Sequence, residues 1–182
     1  MDAKDIQRYL SLVGKELQAM GVQEPVQLLL IGGGYMLTQV QNRTVTGDVD
    51  AVWVYPEVYA DSEVYRLFRA AVELVADDEG LEPSWLNTAV SDFVFAAGPL
   101  PKRKLWKKFG LVQVYLPPKD FILAHKLVSA RKKDAADIQA LCALLGINTR
   151  EKAQKVVDKY ISQDIQENHR VAMKLAILFG SS

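Results

Sequence analysis

Residues 44 to 50 read TVTGDVD, which sets the carboxylates of Asp48 and Asp50 two positions apart after a Thr-Gly turn. If the chain continues as a strand, alternate side chains share a face, so the two acids project together while Val49 and Ala51 project to the other side. At ~4 Å two like charges cost roughly 4 kcal/mol at an effective dielectric of about 20. A divalent cation offsets that repulsion, and a hard ion such as Mg²⁺ takes one or two carboxylates together with phosphate oxygens. On the acids alone, a solvated pair at the start of an edge strand is the simpler reading. The glycines upstream shift the balance. Gly32, Gly33 and Gly34 close the apolar run VQLLLI and precede a segment able to begin a helix, an arrangement that lets backbone N–H groups approach a phosphate without side-chain obstruction. No Walker lysine follows, and the spacing does not fit GxGxxG.

A second group of charged residues lies in LAHKLVSARKKDAADIQAL, where Lys126, Arg131, Asp134 and Asp137 recur at helical spacing. Read structurally, this is a solvated helix face with ion pairs worth a few tenths of a kcal/mol each. Read functionally, the compact lysine ammonium is a point-charge partner for a polyphosphate. The stretch PKRKLWKKFG places Lys102, Arg103, Lys104, Lys107 and Lys108 around Trp106. It has the composition of an exposed hairpin, and also of a surface that holds a nucleic-acid backbone and stacks a base. His125 and His169 have no ligand-like neighbour at helical spacing, which argues against a histidine metal site or general base. Cys142, the single cysteine, lies in the apolar run ALCALLG and reads as a core residue in a reducing compartment.

These groups must be positioned by an ordinary globular chain. Its 182 residues are 49% hydrophobic and 24% charged, with 22 basic residues against 22 acidic ones. Net charge therefore supplies no attraction for nucleic acid, and any such contact needs a local patch. No apolar run approaches ~20 residues and the N-terminus lacks a signal-peptide core, so the expectation is a cytoplasmic protein with no membrane partner. Ile6, Leu10, Val13 and Leu17 predict an amphipathic helix over 3–20. VQLLLIGG reads as a strand buried on both faces, GGYMLTQVQNR as room for a short helix, and DVDAVWVY as a second strand. Residues 61–79 read as a helix capped by Ser62 or Asp61. SDFVFAAG and LVQVYLPP read as strands separated by the basic stretch. Trp85, in WLN, reads equally as cleft lining or core. From Lys119 the chain reads as helix, broken near 131–134, with one or two further helices beginning near Thr149 and Glu151. The fold class is α+β: a small mixed β-sheet flanked by helices over 1–118, and a helical C-terminal portion over 119–182 packed on that core as one compact unit.

The combination of apolar strand, Gly33-Gly34, thirteen residues and then Asp48-Val49-Asp50 resembles the DNA polymerase beta-like nucleotidyltransferase superfamily. Arg43-Thr44 just upstream of the acids extends the likeness to its small bacterial AbiEii-like branch. The Lys126, Arg131, Asp134, Asp137 block is similar to a helical motif of the same branch. The resemblance implies a nucleotidyltransferase fold and Mg²⁺- or Mn²⁺-dependent transfer of a nucleoside monophosphate from an NTP to a hydroxyl. Asp48 and Asp50 are then metal ligands and catalytic residues, and Lys126 is a catalytic contact to the triphosphate. Gly33, Gly34, Arg43, Thr44, Arg131, Asp134 and Asp137 are assigned to the nucleotide. Implied acceptors are a tRNA, a protein or a small molecule, and some relatives of this kind are toxins held by a cognate antitoxin. Many members carry a third metal-binding acid on a later strand. LVQVY has Gln113 there, and Asp92 is the nearest substitute. Without a third acid, the resemblance also allows a protein that binds nucleotide or a partner without turnover.

Overall fold

The computed structural model describes residues 1–55 and 62–180. Among them no helix is long and apolar enough to cross a membrane. The fold is α+β, and its contacts divide it into two units: Met1–Ser91 with Arg103–Leu116, and Asp92–Lys102 with the chain from Pro117 onward.

The first unit contains the whole sheet. Helix α1 (Ala3–Ala19) starts at a capping box in which Asp2 and Asp5 accept each other's backbone N–H, and it buries Ile6, Leu10, Val13 and Leu17 as their spacing predicts. Strand β1 (Val26–Leu30) leads into a short helix α2 (Gly32–Tyr35), which widens into a π-type turn over Met36–Val40 and stops at Gln41 in the left-handed region. Strand β2 (Val49–Trp53) follows. Helix α3 (Glu63–Glu79) is capped by Ser62, whose Oγ accepts from the Tyr65 N–H at 3.0 Å, and closed by left-handed Gly80. The alternative cap, Asp61, lies outside the described residues. Strands β3 (Leu86–Asn87), β4 (Lys104–Phe109) and β5 (Val112–Leu116) complete a sheet of order β3-β2-β1-β5-β4. It is mixed: β1 runs antiparallel to β2 and parallel to β5. Helix α1 packs on α3 and on β4 and β5. Trp85 is core, 1% exposed, with its ring 5.6 Å from Tyr9 and its Nε1–H donating to the Val72 carbonyl at 3.2 Å.

One of the expected strands is placed differently, while LVQVYLPP forms β5 as expected. SDFVFAAG forms helix α4 (Val90–Ala97), ended by Gly98 and Pro99. A short continuous apolar run carries no period that separates helix from strand, and here Ser91, Val94 and Ala97, spaced one helical turn apart, are the buried residues. The strand expected before β5 lies instead inside the basic stretch. β4 pairs antiparallel with β5 through the turn at Gly110, whose φ is +59°. The reading of that stretch as an exposed hairpin holds.

The second unit is helical. Helix α5 (Lys119–Ser129) buries Phe121, Ile122, Leu123, Leu127 and Val128 and packs against α6 (Ala135–Leu145), α7 (Arg150–Asp158) and α9 (Val171–Phe179). Between α5 and α6 the chain makes a single 3₁₀ turn, Lys132–Asp134, the break the sequence predicts. Thr149 caps α7, as expected. The tail beyond it holds three helices rather than one or two, because the chain breaks again at α8 (Gln163–Asn168) and at left-handed Arg170. The exposed end of α5 is closed by Lys174, whose Nζ donates to the carbonyls of Val128 and Ser129. Cys142 is half-buried on α6 rather than fully in the core, and burial raises its thiol pKa.

His125 sits among rings, 4.4 Å from Phe121 and 6.0 Å from Phe93 between centroids, and neither buried nitrogen has a hydrogen-bond partner among the described residues. Burial alone lowers its pKa to about 4. Between that value and the ordinary 6.5, the unfolded chain holds a proton that the folded chain refuses, so stability rises with pH across this window. At about 1.4 kcal/mol per unit, the expected loss from pH 7 to pH 4 is about 3 kcal/mol. Denaturant unfolding of wild type and His125→Phe from pH 4 to 7 checks it: the variant should lack this part of the slope. Parallel pH profiles would mean that the imidazole is solvated in the native state.

Candidate functional site

The site is built where β1 ends beside β2. Their register pairs Leu30 with Ala51, and the Ile31 N–H donates to the Asp50 carbonyl at 3.0 Å, so the glycine turn emerges level with Asp50. Gly32 turns the chain with φ +59°, and a Cβ added there would stand 2.3 Å from Asp50 Oδ2. A Cβ on Gly33 would stand 2.3 Å from Thr46 Oγ1 and 3.3 Å from Arg43 Nη1. Gly34 faces inward against Leu30 and Val49. The three glycines thus divide their work. Gly32 accepts the carboxylate, Gly33 accepts the turn that precedes it, and Gly34 packs the base of the site.

Asp48 is exposed just before β2, and Asp50 is half-buried within it. Asp50 is held in place: Asn87 on β3 donates from Nδ2 to Asp50 Oδ1 at 3.0 Å, and the Asn87 Oδ1 in turn accepts from the Ala89 N–H. The loop before the acids is anchored by Thr46. Its hydroxyl donates to the Asp48 carbonyl at 3.0 Å, its N–H donates to the Met1 carbonyl, and its carbonyl accepts from the Met1 amine. Arg43 is half-buried beside Gly33, whereas Thr44 is exposed. Thr46, the contact of Gly32 with Asp50 and the carboxylate-binding role of Asn87 were not singled out by sequence reasoning. The threonine two residues before Asp48 was the available signal, since Thr side chains commonly tie off such turns.

The register also locates the third-acid position. Leu29 pairs with both Val52 and Tyr115, and Gln27 pairs with Gln113. Gln113 therefore lies on the same sheet face as Asp50 but four residues back along β1 from its level, roughly 13 Å at about 3.3 Å per residue. Tyr115 is the nearer residue of β5 on that face. Asp92 is exposed on α4. Among the described residues, no three His, Cys, Asp or Glu side chains gather as a metal site.

In the second unit, Lys126, Arg131, Asp134 and Asp137 do come together. Lys126 Nζ is 2.7 Å from both Asp134 Oδ1 and Asp137 Oδ2, and Arg131 Nε is 2.7 Å from Asp134 Oδ2. Lys126, Asp134 and Asp137 are buried, while the Arg131 side chain is 57% exposed. Burial pushes the Asp134 carboxyl up, but the hydrogen bonds from Arg131 and Lys126 outweigh it and leave the group below its ordinary value. Two cations here match two carboxylates, so the network is neutral as a whole and only Arg131 reaches solvent. No model of a known protein family, no curated protein and no solved structure matches this chain.

Proposed function

We propose that the chain is a nucleotidyltransferase that binds an NTP with Mg²⁺ at Asp48 and Asp50 and transfers its nucleoside monophosphate to a hydroxyl acceptor. The observation that supports this most is the contact of the glycine turn with Asp50, in which Asp50 Oδ2 occupies the space a side chain at Gly32 would fill. The donor set suits the ion. A pair of carboxylates cannot cage a metal alone, but Mg²⁺ is commonly held by one or two carboxylates with phosphates and water. Bound there, the ion would neutralise phosphate charge and lower the pKa of the attacking hydroxyl.

The protein's own residues position the reaction. Asn87 fixes the Asp50 carboxylate, Thr46 fixes the turn carrying Asp48, and Gly33 lets Thr46 and Arg43 approach the backbone. Within the second unit, Lys126 is bound to two aspartates and Arg131 is the solvent-facing cation. In the transfer, the acceptor oxygen forms a bond to the α-phosphorus and the bond to the pyrophosphate oxygen breaks. The hydroxyl proton passes to solvent. Catalysis of this kind is mostly positioning and electrostatics.

Titration calorimetry with each NTP and Mg²⁺ tests the reading. Wild type should bind at least one NTP, and Asp48→Ala/Asp50→Ala should bind it at least tenfold more weakly, as should wild type without the metal. Metal alone should bind weakly to both. Absence of NTP binding would sink the proposal. The distance of Gln113 from the acid pair favours a second reading, in which the same site binds nucleotide without transferring it. A labelled-NTP transfer assay separates the two once binding is established.

A further inference from the structure

We propose that the β4 edge and the adjoining face of β5 form a binding track for single-stranded nucleic acid, with Arg103, Lys104 and Lys108 holding its phosphates. β4 is the last strand of the sheet, so one side of its backbone is unpaired by any other strand. The pairing of Leu105 with Tyr115 and of Lys108 with Gln113 puts these four side chains on one face, while Lys104, paired with Leu116, flanks the same edge strand from the other face. Arg103 lies over the Tyr115 ring at 5.9 Å from its centroid. Arg103, Lys104, Leu105 and Lys108 are exposed, and none of the three cations has a carboxylate partner among the described residues. No Asp or Glu occurs from residue 93 to residue 119, although the whole chain is balanced in charge. This concentrates positive potential on a neutral protein and fits a polyanion.

The chemistry favours nucleic acid over an acidic protein strand. A partner strand would need a regular edge, but the register of β4 shifts between Leu105 and Lys107, which puts a bulge at Trp106 and breaks the ladder. What the edge offers instead is spaced cations beside ring faces, the combination that tracks a sugar–phosphate backbone and stacks bases with little sequence preference. Lysines on an edge strand also discourage edge-to-edge aggregation. That role alone does not account for Arg103 over Tyr115 or for the absence of acids across the whole segment.

Fluorescence anisotropy with labelled dT12 and U12, in EDTA so that the acid pair plays no part, tests this separately from nucleotide binding. Binding is expected for at least one oligonucleotide at 50 mM salt, weakening roughly twentyfold at 200 mM if three phosphates are neutralised. Arg103→Ala/Lys104→Ala/Lys108→Ala should lose at least tenfold with an unchanged circular dichroism melt, while Lys152→Ala/Lys155→Ala should bind as wild type does. The dT12 and U12 arms tell DNA from RNA. No binding at 50 mM salt, undiminished binding by the triple variant, or displacement by poly-glutamate at equal charge concentration would overturn the proposal. The last result would assign the edge to an acidic protein.

Discussion

Gly14→Ala is expected to destabilise the first unit by about 3 kcal/mol, at the upper end of overpacking costs, although glycine to alanine in a helix interior ordinarily gains about 1 kcal/mol. Gly14 is buried in the middle of α1, and a Cβ there would lie 1.9 Å from the Phe109 carbonyl oxygen, 2.9 Å from its carbon and 3.3 Å from the Leu111 nitrogen. All three atoms belong to the backbone, so no rotamer change relieves the overlap. The hairpin cannot easily retreat, because the Leu111 carbonyl accepts from the Val26 N–H at 2.8 Å on its other side. Gly110 meets Gly14 in turn, with φ +59° and backbone atoms of Gly14 3.4 Å from its added Cβ. The control is Gly47→Ala, where a Cβ meets nothing within 4 Å and stability should stay within about 0.5 kcal/mol. Denaturant melts of the two variants decide the matter. A Gly14→Ala protein as stable as wild type would mean that α1 stands off the hairpin.

The difference between Gly14 and Gly47 shows what a sequence can and cannot announce. Gly14 interrupts an otherwise strong helical pattern without disturbing it, and its reason for being glycine lies in a hairpin almost a hundred residues later. The same holds for the candidate site. The glycines and the acid pair were legible because each has a local chemical signature, and the strands that carry them were legible from hydrophobic patterning. Thr46 and Asn87 were harder to see. They act through the turn before β2 and the short β3, whose place beside β2 is fixed by the parallel pairing of Val49 with Leu86 and Asp50 with Asn87. The strand expected at 91–98, which is helix α4, has a different origin. FVFAA satisfies either structure locally, and only its surroundings choose. Gln113 shows the limit of register: its strand was legible in the sequence, but its face and its distance from Asp50 follow from pairings across three strands.

The buried network of the second unit should be as sensitive as the α1 contact, for an electrostatic reason. Lys126→Met retains the length and apolar stem of the side chain but leaves Asp134 and Asp137, 2% and 0% exposed, without their shared ammonium. Breaking a buried pair by removing one partner costs about 3–5 kcal/mol, because an uncompensated charge stays behind. Asp134 keeps Arg131, so the Lys126–Asp137 pair carries the part of the loss that a second substitution can relieve. If that is the origin of the loss, Lys126→Met/Asp137→Leu should be less destabilised than the two single variants predict together, and the double-mutant cycle measures the difference directly. The pH dependence carries a second signature. The depressed folded pKa of Asp134 contributes stability above its ordinary 3.8 that is lost as pH falls through the lower folded value. With Lys126 removed, that contribution shrinks, and the gap between wild type and Lys126→Met should narrow in acid. A loss below about 1 kcal/mol at neutral pH, in the range of exposed pairs, would show that water reaches these carboxylates. A full loss with no coupling to Asp137 would instead assign the lysine's contribution to its pair with Asp134.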